Sequence, residues 1–79
     1  MFLAMREQPD PALAALLKRL REERGVTQEQ LAFEAGITSS ALSRIERAVN
    51  SPGWTTVTRI AKALDVSLVR LASDLEEAA

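Results

Sequence analysis

Residues 27–46 read TQEQLAFEAGITSSALSRIE, a stretch marked twice as a helix start and once as a helix stop. Thr27 stands three residues before Gln30, the spacing of a capping box, and Val26 is placed to staple onto Leu31. Gly36 ends the helix so opened after about two turns, its left-handed backbone supplying the turn. Ile37-Thr38 repeats the start signal, with Thr38 as N-cap and Ile37 stapled to Leu42, and the helix that follows is expected to run to about Ala48. Leu42 and Ile45 lie three apart, so they share a face and anchor that helix to a core. Ala32 falls where the two helices cross, and a larger side chain there would push them apart. What remains outside on the helix after Gly36 is Ser39, Ser40, Ser43, Arg44 and Arg47, all small, hydroxylic or cationic and none acidic.

The rest of the chain carries the same punctuation. Asp10-Pro11 reads as an N-cap followed by proline at the first helical position, where its missing N–H costs nothing. Leu13, Leu16, Leu17 and Leu20 form a helical stripe that Gly25 closes, with Arg24 favourably placed at the negative end of the helix dipole. Val49–Gly53 is a loop by its turn chemistry. Trp54, Val57, Ile60, Ala61 and Leu64 then recur at helical spacing. Asp65-Val66-Ser67 breaks and restarts the pattern, Ser67 capping a last helix with Leu68, Leu71 and Leu75 inward. The expected fold is all-α: five short helices, no strand, one compact domain over residues 10–76, with a flexible N-terminal arm at 1–9 and a tail at 77–79.

The 79 residues fit one small domain, and 47% hydrophobic with 27% charged residues belongs to a globular chain. Without cysteine there are neither disulfides nor thiolate metal ligands, and without histidine no Ser-His or Cys-His nucleophile pair. No catalytic site, metal or cofactor is expected. No apolar run approaches the ~20 residues of a membrane span, and a cytoplasmic protein is expected. The formal charge of −1 by itself argues against simple nucleic-acid binding, but its distribution matters more than its sum. Residues 18–62 hold eight basic against five acidic side chains, while the flanks hold two basic against six acidic. A basic middle between acidic ends can meet phosphate locally.

The strings LKRLREERGVTQEQLAFEAGITSSALSRIER (17–47) and RIAKALDVSLVRL (59–71) resemble the Cro/CI-type helix-turn-helix family, the Xre-like transcriptional regulators that include phage repressors. The resemblance implies a lambda-repressor-like DNA-binding domain with the third helix, about Ser39–Ala48, in the major groove. It further implies Gln28 gripping a backbone phosphate at the start of the second helix, Thr38 dividing its hydroxyl between capping and phosphate, and Ser39 and Ser40 on base edges or phosphates. Ser43 and Arg44 follow one turn on, Arg44 reading guanine and Arg47 meeting phosphate. For Arg21 and Glu46 it implies a structural ion pair joining the first and third helices.

The departures from the family pattern are informative. Ala48 stands where the family often has glycine, which implies a longer or differently shaped exit from the third helix. Val49, Asn50 and Ser51 are neutral where basic residues are frequent, leaving backbone N–H groups for phosphate. Trp54 replaces an aliphatic residue and reads either as core or as dimer surface. A single such domain offers too little contact for tight specific binding. A homodimer is therefore expected, with Trp54, Leu68, Val69, Leu71, Ala72 and Leu75, and the arm residues Phe2, Leu3 and Met5, as interface candidates. The leading function is a regulator binding double-stranded DNA at a palindromic operator, similar to stand-alone restriction–modification controller proteins. The alternative is an antitoxin-like module that masks a protein partner, with DNA binding secondary.

Overall fold

Four of the five helix starts in the computed structural model, which describes residues 9–78, are set by a side-chain capping hydrogen bond. Helix α1 (Pro11–Arg24) begins where Asp10 Oδ1 accepts from the Ala12 N–H at 2.9 Å. Helix α2 (Gln28–Ala35) carries a complete capping box: the Thr27 N–H donates to Gln30 Oε1 at 2.8 Å, and the Gln30 N–H returns to Thr27 Oγ1 at 3.0 Å. Helix α3 (Ser39–Glu46) is capped by Thr38 Oγ1, which accepts from the Ala41 N–H at 3.0 Å. Helix α4 (Trp54–Ala63) follows Gly53, which has no side chain to cap with, and α5 (Leu68–Ala78) starts with Ser67 Oγ accepting from the Arg70 N–H. Residues 77 and 78, expected in a tail, are the last residues of α5. The expected arm, with Phe2, Leu3 and Met5, lies outside the described residues up to residue 8.

The ends of α1 to α4 share one device, a left-handed residue that folds the next N–H groups back onto the last carbonyls. Gly36 serves α2 at φ 75°; a Cβ there would meet nothing within 4 Å, so the backbone conformation rather than crowding selects glycine. The end of α3 uses Ala48 at φ 59°, a conformation that costs a residue with a Cβ about 1–2 kcal/mol. The helix therefore stops at Glu46, short of the expected Ala48, and the exit takes the glycine-type shape without glycine. Asp65 does the same after α4.

One cluster of side chains forms the core. Leu16, Leu17 and Leu20 of α1 meet Leu31, Ala32 and Ala35 of α2, Leu42 and Ile45 of α3, Ile60 and Ala61 of α4, and Leu71 of α5. Helix α2 packs on both α3 and α4, and α1 spans α3 and α5. Arg24 reaches across to donate to the Ala63 carbonyl, joining the C-terminal ends of α1 and α4. The described residues contain five helices and no strand, and none of those helices is long and apolar enough to cross a membrane.

Candidate nucleic-acid interface

The α2–α3 pair presents one side of α3 to the core and the other to solvent. Leu42 is fully buried and Ile45 nearly so, which fixes the roll of the helix. At 3.6 residues per turn the opposite side then carries Ser40, Ser43, Arg44 and Arg47. Ser39, Ser40, Arg44 and Arg47 are exposed and Ser43 is half-buried. Arg47 Nε donates to Ser43 Oγ at 3.3 Å, so these two form a pair on that face. Thr38 is exposed, with its hydroxyl engaged in the cap.

The only acidic residue on α3, Glu46, is turned inward, where its side chain is 1% exposed. Arg21 holds it there through two parallel bonds, Nε to Oε2 at 2.8 Å and Nη2 to Oε1 at 3.0 Å. The remaining Arg21 nitrogen, Nη1, donates to the Val26 carbonyl at 2.9 Å. A carboxylate at a helix C-terminus opposes the helix dipole, and these donors offset that. Hydrogen bonding to Glu46 raises the pKa of Arg21 against the lowering effect of burial, with the charges of Glu46 and Glu22 adding to it. The guanidinium is thus a permanent cation, and it ties α1, the α1–α2 turn and α3 into one rigid unit.

Gln28 belongs to the same unit. Its Nε2 donates to Glu46 Oε1 at 2.9 Å, so the side chain expected to grip a phosphate is spent, in part, inside the domain. It sits at the first position of α2, beside backbone N–H groups that the Thr27 cap leaves open. The α3–α4 loop departs from expectation. The Val49 and Asn50 N–H groups both donate to the Arg44 carbonyl, at 2.9 and 3.3 Å, and the Ala48 N–H to Ile45. Of the loop amides expected to meet phosphate, those of Val49 and Asn50 are therefore already used. Nothing in the residue types signalled this; it follows from the left-handed Ala48.

A second surface lies away from α3. Trp54 is 70% exposed, which excludes the core reading, and with Leu13, Leu68, Ala72 and Leu75 it rims an apolar groove of about 230 Å³ floored by Val57 and Leu71. Leu71 itself is a core residue, 5% exposed, and Val69 points elsewhere, exposed but outside the groove. The structure thus gathers all the dimer candidates of α4 and α5 except Val69 around one cleft. Phe33, exposed on α2, belongs to neither surface.

A family model for a helix-turn-helix domain matches residues 12–73. The uncharacterized HTH-type transcriptional regulator y4dJ of Sinorhizobium fredii is 39% identical over 59 residues, 75% of this chain and 77% of that protein. A second, y4dL from the same organism, is 36% identical over 53 residues, 67% of this chain and 27% of its own length. Among solved structures, a point mutant of the restriction-modification controller protein C.Esp1396I matches with a TM-score of 0.83 at 31% identity, covering 85% of this chain and 87% of that one. The controller protein C.AhdI from Aeromonas hydrophila matches with a TM-score of 0.74 at 30% identity, covering 77% and 92%.

Proposed function

The chain belongs to the helix-turn-helix family of transcriptional regulators, and we infer that it binds a palindromic operator as a homodimer, with α3 in the major groove. The observation that carries this reading is the sorting of charge on α3. Its one carboxylate is buried in a clamp, and its solvent face holds only serines and arginines. A face of that chemistry tolerates the negative potential of the groove and can donate to base edges and phosphates.

Arg44 is the base reader, an exposed arginine in the middle of the helix face, suited to bidentate donation to guanine O6 and N7. Ser39, Ser40 and Ser43 contact base edges or phosphate, and Arg47 meets phosphate from its position against Ser43. Gln28 contacts phosphate with the start of α2 while its amide stays tethered to Glu46. Thr38 contributes chiefly its cap. The apolar groove around Trp54 is the two-fold interface, each copy covering the other's Leu68 and Leu75. Two recognition helices about 34 Å apart then meet successive major grooves on one side of the duplex.

The test is selection of sites from random duplex DNA at low salt, followed by footprinting of the winner and binding by Arg44→Ala. A palindrome with half-sites about one turn apart, and discrimination against its guanine variants reduced in Arg44→Ala, is the expected result. Equal loss on specific and random DNA would make Arg44 a phosphate contact. No enrichment, with a monomer by sedimentation, would favour the masking of a protein partner through the Trp54 groove.

A further inference from the structure

The turn that closes α3 folds an exposed apolar residue, Val49, back onto the backbone of the arginine assigned to base reading. Three amides fold back at this point, and two of them, those of Val49 and Asn50, converge on the Arg44 carbonyl. In this type of helix ending, the residue after the left-handed one is frequently in contact with the side chain whose carbonyl its N–H binds. Here those residues are Val49 and Arg44. Val49 is 53% exposed and takes no part in the core or among the side chains packed on it. Valine is moreover stiff, its branched Cβ restricting it to few rotamers, so the apolar surface is held in one place.

We propose that Val49 is a specificity-determining residue, making apolar contact with the 5-methyl group of a thymine adjacent to the base pair that Arg44 reads. The proposal rests on the assignment of α3 to the major groove. The thymine methyl is the apolar feature of the major-groove edge, and apolar side chains are the groups that read it. The internal use of the Val49 and Asn50 amides leaves the side chain, rather than the backbone, as what this turn offers to DNA. Arg44 and Val49 then act as adjoining readers, one for hydrogen-bond acceptors and the other for a methyl group.

The experiment replaces each thymine of the selected operator in turn with deoxyuridine, which removes only the methyl group, and measures affinity for the wild-type chain, Val49→Thr and Val49→Ala. For the wild type, one position per half-site should weaken binding about fourfold per half-site, the value of one buried methyl. Val49→Thr should bind the thymine operator more weakly, by a similar factor, and lose nothing further on the deoxyuridine operator. Val49→Ala, which cannot introduce an unpaired hydroxyl, should behave alike, and both should melt with the wild type. A methyl effect that persists undiminished in both variants, or the absence of any thymine position with such an effect, overturns the proposal. If instead Arg44→Ala keeps full discrimination, the base-reading assignment beneath it fails. If no operator is selected, both fall together.

Discussion

Removal of the Glu46 carboxylate should destabilise the domain far more than loss of an ordinary surface charge. In Glu46→Ala, Arg21 loses its bonds at 2.8 and 3.0 Å and keeps only the one to the Val26 carbonyl. The Gln28 amide loses its partner as well. The Arg21 side chain is 11% exposed, so water can reach it only partly. Breaking a buried pair by removing one member costs about 3–5 kcal/mol; partial access of water places this site at about 3. A domain of 79 residues has roughly 4–12 kcal/mol in all. The loss is therefore a large share of the total, and the melting temperature should fall by roughly 12–24 °C. Helical circular dichroism followed through reversible thermal unfolding, at one fixed protein concentration, measures it. The double variant Arg21→Met with Glu46→Leu should lose less than either single one, since no charge is left buried. A single-variant drop below about 4 °C, near 1 kcal/mol, or simple additivity in the double variant, would refute the clamp as a unit.

Ala48→Gly should raise stability by about 0.5–1 kcal/mol, the left-handed strain relieved less the greater freedom of unfolded glycine; an unchanged or lower melting temperature would contradict the turn at φ 59°. Trp54→Glu should shift the chain toward monomer in analytical ultracentrifugation and weaken operator binding while leaving the monomer folded, because Trp54 is 70% exposed. Unchanged sedimentation would remove the groove from the interface. Phe33→Ser, at an 86% exposed position, should change unfolding free energy by no more than about 0.5 kcal/mol in urea titrations. A larger loss would mean that Phe33 is covered in the assembled protein.

Short-range signals were enough to delimit most of the helices. The Thr27–Gln30 box, the Asp10, Thr38 and Ser67 caps and the glycines at 25 and 36 act through bonds spanning a few residues, so residue identity at fixed spacing decides them. The inward face of α3 was equally readable, because Leu42 and Ile45 can be buried together from one side only. The end of α3 was not. Alanine has no preference for the left-handed conformation; Ala48 adopts it together with the folding of the Ala48, Val49 and Asn50 amides back onto the Ile45 and Arg44 carbonyls.

The site divides along the same line. Serines and arginines at 39, 40, 43, 44 and 47 were visible as one face from helical periodicity alone. The partnership of Gln28 with Glu46 was not, because it joins residues 18 positions apart through a carboxylate whose direction depends on Arg21. Trp54 could be read as core or as surface until the packing of α1, α4 and α5 left it on the rim of a groove. By itself the sequence determined the fold class, the caps and the identity of the exposed helix face, all consequences of contacts within about one helical turn. Tertiary structure alone decided which side chains remain free to meet a partner, because that depends on groups brought together from distant parts of the chain.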